Sequence, residues 1–158
     1  TMVYAPDAIE TAKKLILQGA DIVTDTNMAL AGINKRALAR HGGEAHCFMA
    51  DEKVAALAKE RGVTRATVSM EFAAQLNKPV IFAVGNAPTA LIRLYEMITG
   101  GEFRPAFIIG VPVGFVNVEA AKELILKTDV PYIINRGRKG GSNVAAAICN
   151  ALLYELGR

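Results

Sequence analysis

Residues 79–94, PVIFAVGNAPTALIRL, decide the fold class of this chain. The first six are apolar in succession, without the alternation of a strand that has one wet face, which predicts a strand covered by helices on both sides. Gly85 ends the run, and Pro88 suits a first helical turn because its missing N–H costs nothing there. Leu91 and Leu94 follow at helical spacing. A strand that passes directly into a helix is typical of an α/β protein.

Four more apolar runs of this kind occur, at residues 20–25, 45–49, 106–109 and 131–135. Helical periodicity lies between them, with Asp51 and Thr64 as predicted N-caps and Gly62 as a predicted helix end. We therefore predict one three-layer α/β/α domain over residues 1–158, with a five-stranded parallel sheet in the flavodoxin-like order 2-1-3-4-5. A Rossmann-like half is the alternative.

Composition excludes several classes of protein. The 158 residues are 52% hydrophobic and 21% charged, which is enough apolar surface to order a core and excludes a disordered chain. The net charge of +3 is too small to indicate a nucleic-acid binder, and the apolar runs are too short to span a bilayer. Cys47 and Cys149 lie far apart, which favours free thiols. With no apolar leader at its start, the chain is expected to be cytoplasmic.

The segments that follow the predicted strands are polar and rich in glycine, and ligands of open α/β sheets bind at those strand ends. Arg136, Arg138 and Lys139 precede a Gly-Gly-Ser helix start, which predicts an anion site; a solvated basic turn is the alternative. Residues 85–89 present backbone donors before the next helix, and helix capping by Asn86 is the alternative reading there.

Familiar catalytic patterns are missing from the sequence. His41 and His46 precede or begin the second predicted strand, at the wrong end of the sheet for a site, so we expect structural or surface roles for both. The sequence has no HExxH, CxxC or GxSxG pattern. We therefore expect no metal site and no cofactor.

Taken together, these segments resemble the precorrin-8X methylmutases, including the cobalt-precorrin-8 methylmutases of cobalamin biosynthesis. The matching stretches are DIVTDTNM (21–28), GVTRA (62–66), AVGNAPTAL (83–91), IGVPVGFV (109–116) and RGRKGGS (136–142), in family order over nearly the whole chain. The resemblance implies a flavodoxin-like fold, a homodimer and an isomerase. That enzyme moves a methyl group between neighbouring ring carbons of a corrin precursor, which gives hydrogenobyrinate or cobyrinate.

The implied substrate is a macrocycle that bears several carboxylates, for which arginine forks, helix starts and an apolar wall are suitable partners. We expect it between segments 24–27 and 85–89, with Val111, Pro112 and Phe115 as walls. The expected substrate-binding residues are Thr24, Asp25, Asn27, Thr64, Arg65, Asn86, Thr89, Arg93, Pro112, Gly114, Phe115, Arg136, Arg138 and Ser142.

One family feature has no match in residues 1–158. The histidine proposed to protonate the macrocycle in this family lies in a segment that precedes the first strand predicted here. We therefore expect an N-terminally truncated core that binds corrinoids with little turnover by itself, and the catalytic residue stays unassigned. A natural short homologue that lacks this step is the alternative to truncation. The alternatives are a non-catalytic tetrapyrrole-binding or carrier protein and a small phosphate- or nucleotide-binding protein. The last lacks both a Walker A loop and a GxGxxG fingerprint.

Overall fold

The computed structural model describes residues 1–157, which fold into six strands and eight helices. The strands are β1 (Met2–Tyr4), β2 (Asp21–Thr24), β3 (Ala45–Cys47), β4 (Val80–Val84), β5 (Phe107–Gly110) and β6 (Tyr132–Asn135). The helices are α1 (Ala8–Leu17), α2 (Asn27–Gly32), α3 (Lys35–Ala39), α4 (Glu52–Arg61), α5 (Arg65–Ala73), α6 (Pro88–Thr99), α7 (Val118–Leu126) and α8 (Ser142–Leu156).

The strands form one sheet in the order β1-β6-β5-β4-β2-β3. Five of them are parallel, and β1 pairs antiparallel with β6, with Met2 opposite Asn135. The prediction of a five-stranded, all-parallel sheet is therefore wrong, because the edge strand β1 is a sixth. Counted among themselves, the parallel strands run 2-1-3-4-5, the predicted sequence of neighbours.

Helices cover both faces of the sheet, as the unbroken apolar strands require. One buried cluster joins the sheet to α1, α3 and α8, and a second joins its other face to α5, α6 and α7. Strands β4 and β5 are buried along their whole length. The mixed α/β architecture with a central sheet is thus confirmed.

The predicted helix ends are confirmed where their signals are local. The side chain of Asp51 accepts a hydrogen bond from the backbone N–H of Lys53 at the start of α4. Gly62, at a φ of +66°, ends that helix. Thr64 caps α5 through the N–H of Thr67. Asn86 does not cap α6. The residue at the N-cap is Ala87, and no side chain makes a capping hydrogen bond there.

Both cysteines are free thiols, with Cys47 half-buried and Cys149 buried. Burial raises the pKa of the Cys149 thiol to about 12. Of the helices within residues 1–157, none combines the length and the apolar character that crossing a membrane requires.

Candidate functional site

A cleft of about 400 Å³ opens at the carboxyl ends of β2 and β4. In the sheet, β3 lies on one side of this pair, and β5 and then β6 lie on the other side. The pair is therefore the switch point at which α/β proteins place ligands. The cleft therefore lies beside both segments that the sequence singled out. Its lining consists of Thr26, Met28, Gly85, Asn86, Val113, Gly140, Gly141, Ser142 and Asn143.

Direct backbone contacts form the frame of the cleft. A Cβ atom added to Gly85 would lie 2.7 Å from the carbonyl oxygen of Gly141 and 2.7 Å from the Cα of Ser142. One added to Gly140 would overlap the carbonyl oxygen of Val111. The N–H of Gly141 donates to that same oxygen at 2.8 Å. The chain segments after β4, β5 and β6 are thus joined with no side chain between them.

Asp25 is an internal anchor of this site. Its buried carboxylate accepts hydrogen bonds from the backbone N–H groups of Gly85 at 2.8 Å, Asn86 at 2.9 Å and Ala87 at 2.6 Å. Burial raises the pKa of the Asp25 carboxyl, although the three N–H groups favour its ionised form. Asp25 therefore occupies the donors that residues 85–89 were expected to offer, and its predicted contact with substrate stays a prediction.

Thr24 is also removed from the cleft surface. It is fully buried, and its hydroxyl donates to the carbonyl oxygen of Thr26 at 2.9 Å. The side chain of Thr24, at the end of a covered strand, turns into the protein, and its predicted contact with substrate stays a prediction. Asn27, three residues further along the chain, is exposed at the start of α2.

Pairs of hydroxyl groups connect the helix starts around the cleft. The Oγ1 of Thr26 lies 2.8 Å from the Oγ of Ser142, which links the start of α2 to that of α8. The hydroxyl of Thr64 donates to that of Thr89 at 2.9 Å, which links the starts of α5 and α6. Three of these side chains were expected site residues, and the structure places them at one edge of the sheet.

Arg93 does not point toward the cleft. Its guanidinium donates to Glu71 at 2.8 Å, to Glu102 at 3.2 Å and to Glu96 at 3.5 Å. Glu102 lies beyond the C-terminal end of α6, whereas the cleft lies at the N-terminal end of that helix. The prediction that Arg93 faces the cleft is wrong, because these carboxylates hold it on the outer side of α5 and α6.

The basic turn at residues 136–139 faces α7. Arg136 makes a bidentate pair with Glu123, at 3.0 and 2.9 Å, and Arg138 donates to Glu119 at 3.0 Å. The Arg138 guanidinium also lies 5.5 Å from the centre of the Phe115 ring. More than half of each of these arginine side chains is exposed, so the pairs contribute little stability and exchange readily with other anions.

Two further cations near the cleft are unpaired. Arg65, the first residue of α5, is exposed beside the Thr64–Thr89 hydrogen bond, and Lys139 is exposed in the basic turn. Within the part of the chain that the structure describes, neither side chain makes a hydrogen bond or ion pair. Both are therefore available to a ligand carboxylate.

Exposed apolar side chains lie at the cleft and in the segment that leads away from it, and we call them the apolar rim: Met28 and Val113 line the cleft, and Phe115 and Val116 follow Val113 along the chain. Their exposed fractions are 67%, 46%, 80% and 78%. Val111 and Pro112, which were also expected as walls, are buried in this structure, and their contact with substrate stays a prediction. Gly114 fixes the rim segment through its N–H, which donates to the carbonyl oxygen of Arg138 at 3.1 Å.

Sequence reasoning missed Lys122, which is fully buried. Its ammonium group donates to the carbonyl oxygens of Gly137 at 2.8 Å and Lys139 at 3.0 Å. Burial lowers the pKa of this lysine. The signal was present in the helical spacing, because the inward-facing residues of α7 are Val118, Ala121, Lys122 and Ile125.

A second polar cluster lies at the opposite end of the sheet, around Asp21. Its carboxylate lies 2.6 Å from the Lys78 ammonium and 2.9 Å from the Nε2 of His46, and it accepts the N–H of Glu44. Burial alone would raise the pKa of Asp21, but these partners together hold it below its usual value. The structural role expected for His46 fits this arrangement.

Relatives of known name match almost all of the chain. Residues 1–155 match the family model described as CbiC: Precorrin-8X methylmutase. The cobalt-precorrin-8 methylmutase of Priestia megaterium is 44% identical over 152 residues, which are 96% of this chain and 68% of that protein. The cobalt-precorrin-8 methylmutase of Salmonella typhimurium is 45% identical over 154 residues, covering 97% of this chain and 71% of that protein.

Solved structures agree with this similarity. A precorrin-8X methylmutase from Thermus thermophilus has a TM-score of 0.87 at 37% identity, with 97% of this chain and 75% of that chain covered. A precorrin-8X methylmutase related protein has a TM-score of 0.89 at 30% identity, covering 98% of this chain and 80% of that chain.

Proposed function

Since this chain belongs to the precorrin-8X methylmutase family, we propose that it acts as an isomerase of cobalamin biosynthesis. The reaction moves a methyl group between adjacent ring carbons of precorrin-8X or cobalt-precorrin-8, with hydrogenobyrinate or cobyrinate as the product. The observation that carries this proposal at the site is the open cleft at the switch point, with its apolar rim and neighbouring unpaired cations.

The chemistry of the cleft suits such a substrate. A corrin precursor has a broad apolar ring face surrounded by acetate and propionate carboxylates. The apolar rim offers exposed surface for the ring, and Arg65 and Lys139 offer unpaired positive charge for the carboxylates. Arg138 adds a third cation, since its exposed pair with Glu119 exchanges readily with a substrate carboxylate.

We assign the cleft a geometric role in the reaction. A methyl shift within a conjugated ring forms and breaks carbon–carbon bonds inside one molecule, so the protein contributes mainly a held geometry and a protonated ring. The hydroxyls of Thr26 and Ser142 and the exposed amide of Asn86 are hydrogen-bonding groups too weakly acidic to protonate the ring near neutral pH. They hold and orient the substrate.

Four finer assignments belong to the same proposal. The five parallel strands form a flavodoxin-like core to which β1 is added, and residues 1–158 are one corrinoid-binding domain. The protein works in the cytoplasm as a homodimer. A groove of about 830 Å³ between α3 and the C-terminal half of α8 offers a surface for the second copy. Light scattering on a size-exclusion column measures the mass in solution, and a monomer at all concentrations contradicts the dimer.

Titration of the purified chain with hydrogenobyrinic acid, followed by absorbance and calorimetry, tests the proposal. We expect saturable corrinoid binding and none of ATP under the same conditions. Arg65→Gln should weaken binding, whereas the matched Arg104→Gln should not, because Arg104 is an exposed partner of Asp129 far from the cleft. Binding of ATP without binding of corrinoid would overturn the proposal.

Turnover needs a separate readout, because an isomerisation leaves the mass of the substrate unchanged. Incubation with precorrin-8X, followed by proton NMR of the ring methyl groups, detects the change of methyl position directly. Binding without any conversion would support a carrier in place of an enzyme.

A further inference from the structure

We propose that Lys122 is a positioning residue: its buried ammonium group holds the turn at residues 136–139 in the shape that presents Arg138 and Lys139 to the ligand. The inference rests on the proposed function for the identity of that ligand, a polycarboxylate corrinoid. It adds a role for a residue that does not itself line the cleft.

The hydrogen bonds of the turn carry the argument. Three successive carbonyl oxygens accept from fixed donors. Those of Gly137 and Lys139 accept from the ammonium of Lys122, and that of Arg138 accepts from the N–H of Gly114. The side-chain amide of Asn135 also donates to the Lys139 oxygen, at 3.1 Å. Because the carbonyl groups are held inward, the side chains of Arg138 and Lys139 extend to the exposed surface.

A lysine is a costly residue for this position. It occupies an inward site of α7 between apolar neighbours, its ammonium donates to carbonyl oxygens, and burial lowers its pKa. A leucine or methionine would fill the same space without the cost of burying a charge. Glu119, one turn earlier on α7, is the acidic group that favours the charged form, and it is bonded to Arg138. The role of the buried charge is therefore to hold the turn at residues 136–139.

Substitution Lys122→Met, which leaves an unbranched side chain one atom shorter and removes its donors, tests the inference. We expect the Kd for hydrogenobyrinic acid to rise by about tenfold, since a displaced binding group loses much of its effect. Lys78→Met is the matched control. It removes a lysine that binds Asp21 at the opposite end of the sheet, so it should lower thermal stability without changing this Kd.

Hydrogen exchange measured by mass spectrometry provides a readout that does not depend on the ligand. In Lys122→Met we expect faster exchange confined to residues 136–141, with the strands β4 and β5 still protected. Unchanged exchange in the turn, or a uniform increase over the whole chain, would contradict the inference. Failure of the wild-type chain to bind corrinoid would overturn the proposed function instead, while the exchange comparison would still decide the role of Lys122.

A milder variant keeps the test decisive if Lys122→Met does not fold. Asn135→Ala removes two exposed hydrogen bonds, the one to the Lys139 carbonyl oxygen and the one that Asn135 Oδ1 accepts from the amine of Thr1 at 3.0 Å. We expect a smaller rise of the Kd, about threefold, with a nearly unchanged melting temperature. Unchanged corrinoid affinity in every folded variant of this turn would mean that the shape of the turn does not matter to the ligand.

Discussion

Substitution Asp25→Asn tests the internal anchor of the site. The wild-type carboxylate accepts three backbone N–H groups, with Gly85 on one oxygen and Asn86 and Ala87 on the other. Asparagine has nearly the same shape but a single acceptor oxygen. In its better orientation it keeps the bonds from Asn86 and Ala87 and turns its own NH₂ group against the buried N–H of Gly85.

The size of the effect follows from this geometry. A buried donor left without a partner costs about 2 kcal/mol, and the two remaining bonds weaken by about 0.5 kcal/mol each when their acceptor loses its charge. Part of this loss is offset, because burial raises the pKa of Asp25 and the neutral amide avoids that cost. We expect a net loss of about 2 kcal/mol of unfolding free energy, which lowers the melting temperature of a chain of this size by about 6 °C.

Differential scanning calorimetry at pH 7 measures this change. Asp51→Asn is the matched control, because Asp51 caps the exposed start of α4 through one N–H and asparagine is an equally good N-cap. We expect the control to melt within about 1 °C of the wild type. If Asp25→Asn also melts within that interval, the carboxylate is not what holds the turn after β4, and the reasoning is refuted.

Three other predictions concern ligand binding, thiol reactivity and pH. Arg93→Ala should lower thermal stability and leave corrinoid affinity nearly unchanged, whereas Arg65→Ala should do the reverse; equal losses of affinity in a titration would contradict this. Cys149 should resist iodoacetamide in the native protein, since burial raises its thiol pKa to about 12, and should react after denaturation, as peptide mapping will show. The pKa of Asp21 is lowered on folding, so its stabilising effect is present above its unfolded pKa and disappears as the pH falls through the folded value. The difference in melting temperature between wild type and Lys78→Met should therefore shrink below about pH 4, and a difference that grows in acid would contradict it.

Features with a local signal were predictable from the sequence. The five parallel strands are mostly apolar runs, and Asp51, Thr64 and Gly62 act within one turn of the helix ends they define. Strand β1 was missed because its three residues carry no periodicity and pair with residues 129 to 133 positions away. Helices α2 and α3, of six and five residues, are too short to show a helical repeat.

The site was predictable in its place but less so in its contacts. The edge of the sheet follows from the order of the strands, and residues after β2 and β4 do line the cleft. What a charged side chain binds depends on distant partners. Arg93 reads as a ligand residue until its three carboxylates are located, and Asp25 reads as an exposed loop residue until β4 is placed beside β2. Unlike Arg93 and Asp25, Lys122 could have been recognised from the sequence, because it is a charged residue at an apolar position of the helical repeat in α7.

The contacts of Gly85 and Gly140 have a consequence for how this protein can diverge. Each glycine lies against the backbone of another segment, so that joint accepts no side chain and cannot be retuned by small substitutions. The apolar rim beside it consists of side chains that mostly face solvent, which tolerate replacement at little cost in stability. Substitution can therefore reshape the surface of the rim, while the backbone joint beside it stays fixed.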